Sequence, residues 1–207
     1  MPERHPTAQR ILEAALKLFA DHGVAGTPIV RIEEAAGLAP SSGGFYRYFR
    51  SKVELLEAAV NDAAASQVAV DQLSLINSLP IEDQARLIAI GGWAFFDNHR
   101  DLVIVLTRDP MLRPSNYTHA PDGFPGNGVA LVSAWLQGLA DRGELEAVED
   151  PDATALVLVD ALTNYWLQRE AEDPTPYGVS GDRFITAWTR LIIGAPSARR
   201  PKNRSGK

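Results

Sequence analysis

The sequence contains no cysteine among its 207 residues, which excludes disulfide bonds and thiolate metal sites. It has no uncharged apolar run near the roughly 20 residues that a membrane-spanning helix needs. Its first residues, Met-Pro-Glu-Arg-His-Pro-Thr, lack the apolar centre of a secretion signal. We therefore expect a cytoplasmic protein with no membrane partner.

Common catalytic and metal-binding patterns are also missing. The four histidines are scattered without an i, i+4 pair, so no metal site is predicted. The run Ser-Ser-Gly-Gly at 41–44 has neither the Gly-Lys-Ser/Thr ending of a phosphate loop nor the Gly-x-Ser-x-Gly frame of a nucleophile elbow. We expect no cofactor and no enzymatic activity.

The net charge of −6 is distributed unevenly along the chain. Residues 1–55 hold seven Lys and Arg against six Asp and Glu, whereas residues 56–195 hold eight against twenty. Residues 196–207 hold five cations and no acid. An acidic body repels a polyanion, so a nucleic acid would dock on the N-terminal segment. For the basic tail, a solvated, disordered segment is the preferred interpretation over a contact with the DNA backbone.

Apolar residues recur at helical spacing along almost the whole chain and predict an all-α fold of about nine helices. Thr7 and Thr27 are the expected N-caps of the first two helices, and Gly23 and Gly37 end them. Later helices are predicted at 51 to the low seventies, 81–97, 99–108, 128–142, 151–171 and 182–193, around a proline-rich loop at 109–128 that no helix or central strand crosses.

Residues 27–52 have the organisation of a helix-turn-helix, in which a second short helix enters the major groove of DNA. We expect this recognition helix to begin after Ser41 or Ser42. Apolar residues at matching spacing predict a small shared core of Phe19, Ile32, Ala35, Ala36, Leu38, Phe45 and Phe49. The groups left outside it are of the kind that binds phosphate: Thr27, Arg31, Ser41, Ser42, Tyr46, Arg47, Tyr48, Arg50 and Lys52.

Three residues of this segment are unusual for a helix. Gly43 and Gly44 fall within the expected recognition helix, where each costs about 1 kcal/mol relative to alanine. They either allow a close approach of the backbone to base edges or form a loop before the helix. Lys52 is placed at a helix N-terminus, which disfavours cations, and a bound phosphate would compensate.

This pattern resembles the TetR family of bacterial transcriptional regulators over about residues 8–56. The matching positions are Ile11, Ala14, Ala15, Leu18, Phe19, Gly23, Thr27, Ile32, Ala36, Gly37, Leu38, Phe45, Tyr46, Arg47, Tyr48, Phe49, Ser51 and Lys52. The resemblance implies an all-helical homodimer with an N-terminal DNA-binding domain and a C-terminal domain for effector binding and dimerisation. It places the DNA contacts on Thr27, Ser42, Gly43, Gly44, Tyr46, Arg47, Tyr48 and Lys52.

The chain departs from the family pattern in two places. Ala39-Pro40 are two extra residues in the turn, and Glu33 stands where a small residue is common. Both leave the fold intact and affect the angle of the recognition helix. We expect a DNA-binding domain at 1–52, an effector and dimerisation domain at 53–195 and the tail at 196–207.

The helix predicted at 151–171 is apolar on nearly every side, which indicates burial on two faces. In a protein of this size the second face is most simply covered by another subunit, although a monomeric core is the alternative. The predicted interface residues are Leu156, Val159, Leu162, Phe184, Trp188, Leu191 and Ile192.

Aromatic residues in the larger domain either line an effector pocket or form ordinary core packing. The aromatic residues are Trp93, Phe96, Trp135, Tyr165 and Trp166, and Leu106 is predicted to lie with them. Their apolar character favours an aromatic or lipid-like effector.

The sequence therefore favours a transcriptional regulator, most simply a repressor that a small effector releases from a palindromic double-stranded DNA operator. Two other classes stay open. One is an all-α protein that binds a small molecule or lipid, as a carrier or enzyme, without a specific DNA target. The other is a helical adaptor that binds protein through its last two helices.

Overall fold

The computed structural model describes residues 5–66, 70–118, 123–146, 148–171 and 173–194. The all-α prediction is confirmed, with eight α-helices in these residues. They are α1 (Pro6–His22), α2 (Ile29–Ala35), α3 (Lys52–Ser66), α4 (Ile81–Asn98), α5 (Arg100–Arg108), α6 (Gly126–Asp141), α7 (Pro151–Ala171) and α8 (Gly181–Ile193). Short 3₁₀ turns occur at Phe45–Arg47, Val70–Leu75, Pro110–Leu112 and Pro176–Gly178. The basic tail lies outside the described residues.

The expected N-caps of the first two helices are wrong. His5 is the N-cap of α1, because its Nδ1 accepts a hydrogen bond from the Thr7 N–H at 3.2 Å. Pro28 is the N-cap of α2 and has no side-chain acceptor for a capping bond. The Thr27 hydroxyl donates to the Gly23 carbonyl instead. The expected glycine end is confirmed at Gly37, whose φ of 72° belongs to the left-handed region that closes a Schellman motif.

Two longer segments also differ from expectation. α3 ends at Ser66 instead of the low seventies, and the chain then forms the 3₁₀ turn Val70–Leu75. The loop predicted at 109–128 contains a two-residue strand β1 (Tyr117–Thr118), which pairs in parallel with β2 (Phe124–Pro125). These strands are too short to cross the core, and α6 starts directly after β2.

The helices pack around one apolar core. α1 lies against α2 and α5, α6 lies against α7, and α4 packs between α7 and α8. Near the N-terminus the core contains Ile11, Phe19, Ile32 and Phe45, each at most 1% exposed. Burying such side chains contributes about 1.5–3 kcal/mol each.

A hydrogen bond joins the end of α1 to the end of α5. Arg108, at the end of α5, donates through Nη1 to the carbonyl of Ala20 near the end of α1, at 2.7 Å. The unpaired carbonyls of a helix C-terminus favour a cation, so this guanidinium stabilises the end of α1.

None of the helices in the described part of the chain is both long enough and apolar enough to cross a membrane.

Candidate nucleic-acid interface

The segment expected to read DNA is a turn followed by a single 3₁₀ turn. Ser41 and Gly43 adopt left-handed conformations, with φ values of 59° and 71°. Two such residues cannot belong to a right-handed helix, so the predicted α-helix after Ser41 or Ser42 is wrong. Regular hydrogen bonding starts at Phe45, whose carbonyl accepts from the N–H groups of Tyr48 and Phe49 at 3.0 Å each.

The two glycines support the loop interpretation. Gly43 has the positive φ that glycine adopts without strain, and Gly44 is buried against the protein. A Cβ at Gly44 would lie 2.9 Å from Leu38 Cδ1. The expected contact of Gly44 with bases is therefore corrected: its close approach is to Leu38, and only Gly43 is at the partly exposed surface.

Residues 45–49 place their first and last side chains in the core and those of Tyr46 and Arg47 in solvent. Phe45 is fully buried and Phe49 is 5% exposed, so these rings hold the turn on the N-terminal core. Tyr46 is 59% exposed, Arg47 is exposed, and the Tyr46 ring stands edge-on to Phe45 with centroids 5.4 Å apart. The turn thus directs a phenol and a guanidinium outward from a rigid base.

Tyr48 is half-buried, because its ring packs on His5 with centroids 5.3 Å apart. Since His5 also caps α1, Tyr48 joins the recognition segment to the start of that helix. Ser42 is exposed, and its Oγ accepts a hydrogen bond from the Gly44 N–H at 3.3 Å.

Two predicted DNA contacts have internal partners. Thr27 is 1% exposed, and its hydroxyl donates to the Gly23 carbonyl at 2.8 Å, with a longer contact of 3.3 Å to the Leu18 carbonyl. Its side chain is therefore a tie between α1 and α2 and not a phosphate ligand. The Lys52 ammonium donates to the Val24 carbonyl at 2.7 Å, and burial lowers the pKa of Lys52. A carbonyl thus compensates the cation that was expected to require a phosphate.

We predict that Thr27→Val lowers the free energy of unfolding by about 1–2 kcal/mol, because a buried hydroxyl bond is lost, and leaves DNA affinity unchanged. Chemical denaturation and DNA titration of the same sample would check both parts. A weaker DNA complex with unchanged stability would restore Thr27 to the interface.

Three cations of this region are exposed and form no ion pair among the described residues. Arg31, Arg47 and Arg50 are all exposed, and none forms an ion pair with any residue that the structure describes. At α3, the Ser51 Oγ accepts from the Glu54 N–H at 3.1 Å, while the Glu54 carboxylate accepts from the Arg50 N–H. The N-terminus of α3 is therefore capped by protein groups, and the neighbouring guanidinium groups are available to an anion.

The residues predicted to line an effector pocket form core packing in this conformation. Trp93 stacks on Tyr165 with centroids 5.2 Å apart, and Phe96 packs on Trp166 at 5.5 Å. Leu106 and Trp135 are each 1% exposed. The three indole N–H groups donate to the Leu162 carbonyl, Gln84 and Asp97.

A depression that the sequence did not indicate lies on the surface beside the end of α7. It has a volume of about 370 Å³ and is lined by Gln168, Ala171, Asp173, Pro176 and Tyr177. It is open to solvent and shares no residue with the predicted pocket. Among the described residues, no group of three or more acidic or histidine side chains could hold a metal ion.

The residues predicted at a subunit interface divide into two groups. Leu156 is 48% exposed and Leu191 is 80% exposed, so their side chains are accessible to a partner. Leu162 and Trp188 are only 4% and 2% exposed, and their assignment to the interface is corrected because both pack inside the protomer. Val159, Phe184 and Ile192 are half-buried. Val157, 68% exposed, was missed although it belongs to the same apolar run.

Comparison with known proteins places this geometry in context. Residues 11–59 match the family model for bacterial regulatory proteins of the tetR family. The matched range contains the 3₁₀ turn Phe45–Arg47, called the recognition turn below, and the first half of α3. It also contains Thr27 and Lys52 with the carbonyls to which they donate.

Two curated relatives carry names of transcriptional regulators. The chain is 27% identical over 176 residues to the HTH-type transcriptional regulator TtgR of Pseudomonas putida, which covers 80% of this chain and 82% of that protein. It is 37% identical over 81 residues to the HTH-type transcriptional repressor AcnR of Corynebacterium efficiens, a match that covers 38% of this chain and 42% of that protein. In fold, it is similar to a tetR-family regulatory protein from Rhodococcus RHA1, with a TM-score of 0.70 and 16% identity. That match covers 93% of this chain and 100% of the other.

Proposed function

We propose that this chain is a homodimeric repressor of the TetR family of bacterial transcriptional regulators, which a small effector releases from its operator. The observation that carries the proposal is the exposed pair Tyr46 and Arg47 on a turn anchored by buried Phe45 and Phe49. Neither a carrier nor an adaptor needs this pair on an otherwise acidic protein.

The proposed DNA surface is smaller than the sequence indicated. Ser42, Tyr46 and Arg47 are exposed and are the proposed direct contacts, with Gly43 beside them. The phenol of Tyr48 lies at the border of this surface. Hydroxyl groups and cations fix the register of a protein on the phosphate backbone, whereas a guanidinium can also read guanine in the major groove.

The proposed dimer is formed by α7 and α8 with their copies. α7 buries Leu158 and Leu162 inside the protomer and leaves Leu156 and Val157 exposed on another side. Leu191 of α8 is 80% exposed and is the apolar side chain that α8 would contribute. A two-fold pairing of the two helices would cover it as a four-helix interface. The two recognition turns must then lie about 34–36 Å apart, which matches successive major grooves and a palindromic operator.

Repression is proposed because the relative AcnR is named a transcriptional repressor. We propose an apolar or aromatic effector that enters among the aromatic side chains around Trp93, Tyr165 and Phe184. A coupling of about 1–3 kcal/mol between effector and DNA is sufficient for switching. Entry requires these packed rings to separate.

The test is to incubate the protein with fragmented bacterial genomic DNA and to sequence the bound fraction. The expected result is enrichment of a short, roughly two-fold symmetric site. A protein that binds a small molecule without a DNA target would enrich no site, and that result would reject the proposed function.

We predict a strong dependence of operator binding on salt. If each recognition head neutralises about three phosphates, the logarithm of affinity falls with the logarithm of salt at a slope near −5 for the dimer. Fluorescence anisotropy of a labelled operator between about 50 and 200 mM salt measures this slope. A slope near zero contradicts duplex binding through this surface.

A further inference from the structure

Glu33 is a buried acid at the base of the recognition turn. Its side chain is 1% exposed, and its Oε1 accepts a hydrogen bond from the Phe45 N–H at 3.1 Å. Within the part of the chain that the structure describes, no Lys or Arg forms an ion pair with it. A carboxylate taken out of water without a cation is costly unless donors satisfy it, so the Phe45 amide is an important partner.

Glu33 holds both ends of the loop that precedes the recognition turn. Its backbone carbonyl accepts from the Leu38 N–H at 2.8 Å, where the loop begins. Its carboxylate accepts from Phe45, where the loop ends and the 3₁₀ turn starts. One residue of α2 thus closes the eight-residue segment from Leu38 to Phe45 at its two ends.

The loop needs such a closure, because its own hydrogen bonds are few. Ser41 and Gly43 are left-handed, and the Gly44 N–H is bonded locally to Ser42. The Phe45 N–H is the first donor of the 3₁₀ turn and has no partner within that turn. Glu33 supplies the acceptor that the turn itself lacks.

The loop that this bond closes contains Ala39 and Pro40. A loop of this length is little restricted by itself in where it places Phe45. A small residue at position 33 could not reach the Phe45 amide, whereas a glutamate can.

We propose that Glu33 is a positioning residue for DNA recognition: its carboxylate fixes Phe45 and so sets the direction in which Tyr46 and Arg47 leave the surface. The proposal rests on the proposed function for its consequence in DNA binding. The hydrogen bond, in contrast, is a property of the protein without DNA and can be tested separately.

The experiment compares four variants of the full chain: Glu33→Gln, Glu33→Leu, Glu33→Asp and Glu34→Leu. Glutamine keeps an acceptor at the same reach, leucine fills a similar volume without an acceptor, and aspartate keeps the charge but is one methylene shorter. Glu34 is the neighbouring exposed acid and serves as the matched control. The readouts are amide hydrogen exchange of Phe45 by NMR and the affinity ratio of a selected genomic site to unrelated duplex.

We expect Glu33→Leu and Glu33→Asp to accelerate Phe45 exchange and to lower the affinity ratio, each by about 10-fold or more, because the acceptor for the Phe45 N–H is lost or too short to reach it and the base contacts are no longer fixed. Glu33→Gln should stay within about three-fold of the parent in both readouts, and Glu34→Leu should leave both unchanged. The salt slope should be the same in all variants, because the number of phosphate contacts is unaltered.

The outcomes separate the two proposals. If the parent protein binds no genomic site, the proposed function is rejected. The exchange rate of the Phe45 amide still tests the hydrogen bond to Glu33 in that case. A parent that binds, with an unchanged affinity ratio in Glu33→Leu, rejects the positioning role alone. If Glu33→Leu fails to fold, Glu33→Asp decides, and failure of Glu33→Gln to restore Phe45 protection also overturns the proposal.

Discussion

Replacing both Leu156 and Leu191 with aspartate is expected to produce a folded monomer and to lower operator affinity by at least about 100-fold. Both side chains are exposed in the protomer, at 48% and 80%, so the substitutions remove little internal packing. In the proposed dimer they would place unpaired carboxylates in an apolar contact, which is strongly unfavourable. A monomer binds one half-site and loses the gain that comes from two linked recognition turns.

Sedimentation equilibrium at micromolar concentration measures the assembly, and circular dichroism checks that the variant is folded. Leu75→Asp is the matched control, because Leu75 is 77% exposed but lies outside α7 and α8. The control should remain dimeric with full DNA affinity. A double variant that stays dimeric would place the interface elsewhere.

Arg47→Ala is expected to lower operator affinity at least about 30-fold, since a lost guanidinium contact costs about 1 kcal/mol or more in each of two heads. Arg47 is exposed and has no ion-pair partner among the described residues, so its removal leaves the fold intact. Fluorescence anisotropy with the selected site gives the affinity, and unrelated duplex gives the background.

The pattern of loss identifies what Arg47 contacts. An equal loss on all duplexes, together with a shallower salt slope, indicates a phosphate contact, whereas a loss confined to the selected site indicates a base contact. Arg86→Ala is the control, because Arg86 is exposed on α4 and pairs with Asp182 at 2.7 Å. An Arg47 variant within about two-fold of the parent would contradict the assigned recognition surface.

Much of the fold could be predicted because it depends on local pattern. α7 and α8 begin and end close to their expected residues, since apolar spacing, proline and glycine act over a single turn of helix. The faces of α7 could not be predicted in the same way. A helix that is apolar on every side does not indicate which side points inward, and so Leu162 was assigned to the interface while Val157 was missed.

The recognition segment was less predictable because non-local bonds determine it. The bond from Phe45 to Glu33 spans twelve residues, and the tie from Lys52 to Val24 spans 28. A left-handed serine at position 41 has no sequence signal of its own, because serine also caps helices. A hydroxyl such as that of Thr27 is equally suited to a phosphate and to a buried carbonyl, and only packing distinguishes them.

The bond between Arg108 and Ala20 gives the N-terminal helices a second mechanical attachment. One connection runs along the chain through α3, and the other joins α5 to α1, which pack against each other and share the Arg108 bond. A displacement of α5 would therefore act on α1 directly, and not only through α3. Strain generated in the body thus has a short, non-covalent route to the proposed DNA-binding surface.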